Sequence, residues 1–234
     1  MWQKMINNFK NKKAYIFDLF HTLTGPESQW ATLPATSEFF GVDRTVWSDM
    51  LQFGTYERLC GREKDPFRII RDLVDRVKPE ISDELVRQAV EIRKKRFGQA
   101  LINIPVENIK TLKSLKENGL KLGLLSNADV MEIAMWDKSP IAGLFDSTVF
   151  SCFAGYAKPD REIYEISMKE LGVTSQESVF IGDGGSNELK GAKEAGLTTI
   201  MITGVIQELW PEKISERKKW ADYVIERIEE LSNV

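Results

Sequence analysis

The stretch Ala14-Tyr15-Ile16-Phe17-Asp18-Leu19-Phe20-His21-Thr22-Leu23-Thr24 decides how this chain folds. Residues 14–17 form an unbroken apolar run. A half-exposed strand would alternate apolar and polar side chains, so this run reads as a β-strand covered on both faces. It stops at a carboxylate, Asp18, which is costly to bury without a partner. In open parallel sheets ligands bind beyond the carboxyl ends of the strands. Asp18 therefore stands where chemistry is expected.

Working outward, further short apolar runs read as strands at 121–125, 148–150, 179–181, 199–202 and 223–225. Helical patterns lie between them. Residues 105–118 place Ile109, Leu112 and Leu115 on one stripe, and Gly119 follows as a stop. Residues 159–171 repeat the scheme before Gly172, as do 187–195 before Gly196. Strand, helix, glycine, strand is the pattern of an α/β fold with a doubly wound parallel sheet. The alternation breaks from 24 to 103, where only helical patterns occur, at 46–59, 66–77 and 82–101. Ser82, followed by Asp83 and Glu84, reads as a capped helix start. The expected domains are an α/β core, 1–23 with 104–234, and an all-helical insertion, 24–103.

Bulk properties bound the function. The 234 residues suffice for one core domain and an inserted subdomain. Hydrophobic residues at 42% exclude a disordered chain, and a net charge of −3 gives no pull toward nucleic acid or acidic lipid. The basic runs at 93–96 and 217–219 fall in helical patterns and read as solvated faces. His21 is the single histidine, and Cys60 and Cys152 are the only cysteines. This excludes an ordinary zinc site and any Ser-His or Cys-His mechanism that does not use His21; the two thiols read as free. Residues 1–13 are basic without a signal-like apolar stretch, and no segment approaches a membrane span. A cytoplasmic location, with no nucleic-acid or membrane partner, is the resulting expectation. A Gly-Lys-Ser/Thr phosphate loop is absent.

Four segments carry the chemistry. Asp18 ends the first strand. Ser126-Asn127 ends the second. Lys158-Pro159-Asp160 opens a helix expected to begin at Pro159, which places Lys158 at the positive end of a helix dipole, where a lysine is unfavourable unless its charge is used. Gly182-Asp183-Gly184-Gly185-Ser186-Asn187-Glu188 ends another strand in an acid, turns through glycines and reaches a second acid. Asp183 offers the hard oxygen that Mg2+ prefers. Each segment alone has a plain structural reading as a turn or cap. Together, on one sheet edge, two acids, a lysine and a hydroxyl fit phosphoryl transfer through an aspartyl intermediate.

The four ordered segments resemble the motifs of the haloacid dehalogenase-like superfamily, over nearly the whole chain, and 24–103 resembles that family's helical cap. The resemblance implies that Asp18 is the nucleophile and a Mg2+ ligand, with the Phe20 backbone carbonyl and Asp183 as further ligands. It implies that Ser126 and Lys158 bind the phosphoryl group and that Asn127 and Thr22 support substrate and loop. Glu188, with Asn187 beside it, would reach the metal's water shell or orient Lys158. The substrate would be a small phosphate ester and the assembly a monomer or homodimer.

One position departs from the pattern. Family phosphatases carry a second aspartate two residues after the nucleophile, to protonate the leaving group and later activate water. Here that residue is Phe20. His21 is a substitute proton donor by type alone. The 2-haloacid dehalogenases of the superfamily also place an aromatic residue there and need no leaving-group proton. They work without metal and lack the Asp183 equivalent, so a Mg2+-dependent phosphatase ranks ahead of a metal-independent dehalogenase acting on a halo acid. A low-turnover binding or regulatory module is the alternative of another class. Trp30, Arg44, Arg58 and Arg62 in the insertion are candidates to face the site.

Overall fold

The structure, a computed structural model, describes residues 9–52 and 54–233. The basic stretch at 1–13 is therefore described only from Phe9 onward. Six parallel strands form one sheet: β1 (Ala14–Phe17), β2 (Lys121–Ser126), β3 (Ser147–Phe150), β4 (Ser178–Gly182), β5 (Thr198–Ile202) and β6 (Tyr223–Ile225). Their order is β3-β2-β1-β4-β5-β6. Each strand lies within a residue or two of its sequence expectation, because buried parallel strands leave the clearest apolar signature.

The pleat splits β1 between two cores. Tyr15 and Phe17 join a cluster with Leu112, Leu122, Leu124 and Ile181 on one face. Ala14 and Ile16 join Leu125, Tyr164, Phe180 and Met201 on the other. Phe17 is in register with Leu124 of β2 on one side and Ile181 of β4 on the other. The chain runs outward from β1 through β2 to β3, then returns to the opposite side for β4. That reversal opens a crevice at the carboxyl ends of β1 and β4, and Asp18 and Asp183 follow those two strands.

Within residues 24–103 lie six helices and, among the described residues, no strand. They are α1 (Glu27–Trp30), α2 (Thr36–Phe40), α3 (Arg44–Gln52), α4 (Thr55–Leu59), α5 (Pro66–Asp75) and α6 (Asp83–Ile102). The single helix expected over 46–59 is two, because Gly54 adopts φ 62° and the chain turns there. Asp65 caps α5 by accepting from the Phe67 N–H at 2.9 Å, with Pro66 at the first helical position. Ser82 caps α6 as expected. The insertion has its own apolar cluster, with Trp47, Ile70, Leu73, Val74, Val86 and Val90. Met131, from the loop after β2, joins it.

The core helices are α7 (Val106–Glu117), α8 (Ser151–Ala154), α9 (Arg161–Leu171), α10 (Glu188–Glu194), α11 (Gly204–Leu209) and α12 (Ile214–Arg217). Gly172 ends α9 with φ 63°, as its position implied. Among the described residues no helix is long and apolar enough to cross a membrane.

Candidate active site

Asp18 continues the β1 ladder by one step, its N–H donating to the Ile181 carbonyl at 2.9 Å. This fixes the backbone and turns the side chain into the crevice, where it is 7% exposed. One carboxylate oxygen, Oδ2, accepts from the Thr22 hydroxyl at 3.0 Å. The other, Oδ1, accepts from the Lys158 ammonium at 2.5 Å. The costly carboxylate thus has partners on both oxygens. Ser126 closes β2 at the same edge. Its hydroxyl is fully buried and has no hydrogen-bond partner in the structure. A buried hydroxyl left unpaired costs free energy, which is repaid when something arrives for it to bond.

Lys158 reaches the site by a route the sequence did not reveal. Helix α9 starts at Arg161 with Asp160 as N-cap, and the Lys158–Pro159 bond is cis. Pro159 is therefore not the first helical residue and Lys158 is not at the helix's positive end. The dipole of α9 thus does not account for its charge. Its real balance is two acids: the ammonium lies 2.5 Å from Asp18 Oδ1 and 2.5 Å from Glu188 Oε2. Burial alone would lower the lysine's pKa, but the two carboxylates outweigh it and hold it above the ordinary value. Asn127 is spent on the same residue. Its amide accepts from the Lys158 N–H at 2.8 Å and donates to the Lys158 carbonyl at 2.9 Å. In the structure Asn127 ties the second loop to the third.

Glu188 opens α10 and is buried. Its Oε1 accepts from the Gly184 N–H at 2.8 Å. A Cβ on Gly191 would lie 2.5 Å from the Pro159 carbonyl, so only glycine lets α10 approach the Lys158–Pro159 segment this closely. Burial above all, and the charges of Asp18 and Asp183, push Glu188 well above the usual carboxylate range, against the pull of Lys158. Asp18, Asp183 and Glu188 each offer an oxygen within 4.8 Å of the others. These three acids face two cations, Lys158 and Arg217. A hard divalent cation fits this donor set by ligand type and spacing.

The remaining candidates are placed as follows. Phe20 packs edge-to-face on Phe97 of α6, ring centres 5.5 Å apart. His21 has φ 62°, its N–H donates to the Thr24 hydroxyl at 3.0 Å, and its ring stands 5.1 Å from that of Trp210. It borders a cleft of 840 Å3 with Glu38, Arg44, Arg96 and Trp210, whose lining does not include Asp18, Lys158 or Asp183. Asn187 is exposed at the start of α10. In the insertion, Trp30 is buried and donates to the Gly25 carbonyl at 2.8 Å, while Arg62 makes an exposed ion pair with Glu57. Of the four candidates there, Arg58 is the one paired with a core residue, Asp129, at 3.6 Å.

Sequence reasoning missed three features. Arg93 of α6 is buried, with its guanidinium 3.2 Å from Asp129 and 2.6 Å from Glu132, just beyond Ser126-Asn127. Tyr56 of α4 donates to Asp160 at 2.6 Å, beside Lys158. Arg217 of α12 pairs with Asp183 at 2.9 Å. An acid three residues after Ser126 was the one available signal; arginines 36 and 34 residues away in sequence leave none.

Comparison with known proteins agrees with this architecture. The fold is similar to L-2-haloacid dehalogenase from Xanthobacter autotrophicus, with TM-score 0.66 and 20% identity over 94% of this chain and 97% of that one. It is also similar to a haloacid dehalogenase family enzyme from Bacteroides thetaiotaomicron solved with magnesium and inorganic phosphate, with TM-score 0.62 and 20% identity over 82% and 94%. Residues 12–196 match the family model of the haloacid dehalogenase-like hydrolases, and the chain belongs to that family. It is 32% identical over 139 residues to glyceraldehyde 3-phosphate phosphatase of Methanocaldococcus jannaschii, which is 58% of either chain. It is 29% identical over 128 residues to the protein of the same name from Pyrococcus furiosus, 53% of this chain and 51% of that one. The chain thus spans just over half the length of these relatives.

Proposed function

We propose that this hydrolase is a Mg2+-dependent phosphatase of small phosphate esters that works through an aspartyl-phosphate on Asp18. The observation that carries this is the cluster of Asp18, Asp183 and Glu188 with oxygens within 4.8 Å, two acids of which are held by Lys158. Such a cluster suits a cation and a phosphoryl group together. The relatives named as phosphatases support the same reading.

Asp18 uses a carboxylate oxygen to attack phosphorus, and the bond from phosphorus to the ester oxygen breaks, the departing oxygen taking its proton from solvent. Thr22 holds the other oxygen and keeps the carboxylate oriented. The buried Ser126 hydroxyl and the Lys158 ammonium bind nonbridging oxygens, the hydroxyl gaining the partner it otherwise lacks. Asn127 and Glu188 position Lys158. Bound by Asp18, Asp183 and the Phe20 carbonyl, with Glu188 behind them, Mg2+ would neutralise phosphoryl charge. Water then attacks phosphorus, the acyl phosphate bond breaks, and Asp18 is regenerated. Phe20 neither donates nor accepts a proton. General acid–base help is typically worth about 10²–10⁴-fold, so the enzyme is slow on poor leaving groups.

The helical insertion acts as a cap over this site. The contacts of Tyr56 with Asp160, and of Arg58 and Arg93 with Asp129, support this role, since each joins the insertion to a loop that carries a site residue. An aromatic residue at position 20 favours a second reading, a metal-independent 2-haloacid dehalogenase. The carboxylate cluster weighs against it. The test is a panel of aryl phosphates and 2-chloro acids assayed side by side with Mg2+ and with EDTA. Metal-dependent phosphate release, lost in Asp18→Asn, is expected. Chloride release in EDTA would replace this reading with the second, and neither activity would favour a binding module.

A further inference from the structure

Asp183 is held at both of its carboxylate oxygens. Its N-terminal neighbour is β4, its Oδ1 accepts from the Gly185 N–H at 2.6 Å, and its Oδ2 accepts from Arg217 Nη1 at 2.9 Å. The same guanidinium nitrogen donates to the Asp183 carbonyl at 3.2 Å. The arginine stem is seated as firmly as its head. A Cβ on Gly184, which has φ +82°, would lie 2.9 Å from Arg217 Cβ and 3.2 Å from its Cδ. The glycine in the fourth motif therefore makes room for an arginine from α12, as well as for the turn. The Arg217 side chain is 16% exposed and that of Asp183 8%, so water screens the pair only in part.

A carboxylate paired with a guanidinium has less negative charge to offer a metal, and one of its oxygens is occupied. Gly185 would still hold Oδ1 if Arg217 were removed, so Asp183 keeps an anchor without it. Orientation is thus secured twice, while the charge is drawn off by Arg217 alone.

We propose that Arg217 is a positioning residue that sets the affinity of the carboxylate cluster for a divalent cation, weakening it by competing for Asp183. This rests on the cation role assigned to the cluster above. It means that the site is built to hold its metal loosely.

The test is a titration of the metal-stripped full chain with Mn2+, following the paramagnetic signal of the free ion, with no substrate and no turnover. Arg217→Met keeps the stem against Gly184 and removes the charge; Arg217→Gln is the second neutral variant should the first fold poorly. Both are expected to bind Mn2+ about tenfold more tightly than wild type, a change well within what one nearby charge can cause. Arg217→Lys keeps the charge and should stay within about threefold of wild type. Unchanged or weaker binding in the neutral variants overturns the proposal, because Arg217 would then only order Asp183. If wild type and Asp183→Asn alike bind no Mn2+, the cation role itself fails, and with it this inference.

Discussion

The Lys158 ammonium stands 2.5 Å from a carboxylate oxygen of Asp18 and 2.5 Å from one of Glu188, so a single buried cation is shared by two buried acids. Removing one member of such a group leaves charge in the interior without compensation, typically a loss of about 3–5 kcal/mol. Lys158→Met should therefore lower the urea midpoint sharply as well as abolish turnover. Asp18→Asn in the Lys158→Met background should restore part of the stability but none of the activity. An additive double mutant would show that the two side chains do not interact.

Replacing Phe20 with aspartate supplies the missing proton donor. Phosphatase kcat on an alkyl phosphate should rise, by up to about 10²-fold if proton transfer limits the rate. The gain should be smaller on an aryl phosphate, whose leaving group needs less help. The edge-to-face contact with Phe97 is lost, so stability should fall modestly. No gain on either ester would point to another donor, with His21 the first to replace.

Gly191 has no room for a methyl group, because its Cβ would lie 2.5 Å from the Pro159 carbonyl. Gly191→Ala must push α10 away from the Lys158–Pro159 segment and carry Glu188 with it. A cost of about 1–3 kcal/mol is expected from this overpacking. Activity should fall further than stability. A variant with wild-type kinetics would show that the approach of α10 is not needed to place Glu188.

Mg2+ should stabilise the folded chain. At a concentration about 100-fold above Kd the linkage gain is about 2.7 kcal/mol, which a thermal melt reads easily. Asp183→Asn should melt at the same temperature with Mg2+ and with EDTA. A wild-type melt that ignores Mg2+ would remove the cation from the mechanism.

Glu132 gives the protein a pH signature away from the chemistry. Burial foremost, then the charge of Asp129, push it up to about 7, against the pull of Arg93. Its folded pKa is thus above its unfolded value of 4.5. The proton it keeps on folding stabilises the chain fully below that unfolded value, and the contribution is lost as pH rises through about 7. Urea midpoints should fall across this window in wild type and fall less in Glu132→Gln. Equal slopes would show that Glu132 is ionised throughout, as the partner of Arg93.

What could be read in the sequence follows from where the signal is local. The strands were legible because 14–17 and 178–182 are buried on both faces and therefore apolar at every residue but the ends. Asp18 and Asp183 were legible because they directly follow those strands. Helix starts were harder. Pro159 has the right residue type for a first helical position, yet Asp160 caps the helix and the proline lies outside it. Gly54 looked tolerable inside a helical pattern, but its left-handed backbone ends one helix before the next begins. Arg93 and Arg217 were silent, since an arginine in a helix looks alike whether it faces water or a carboxylate 36 or 34 residues away. Asn127 sits where a ligand-binding amide is expected, and in the fold both its amide atoms are taken by the Lys158 backbone.

The ionic seam between the insertion and the core is written on both sides of the join. Arg58 and Arg93 lie before β2, and Asp129 and Glu132 lie after it. The helical block is therefore not a cassette. A chimera that exchanges 24–103 for a segment without these two arginines would strand Asp129 and Glu132 in the seam with no cation to meet them. To keep this seam intact, an exchange has to move 24–103 together with the first turn after β2.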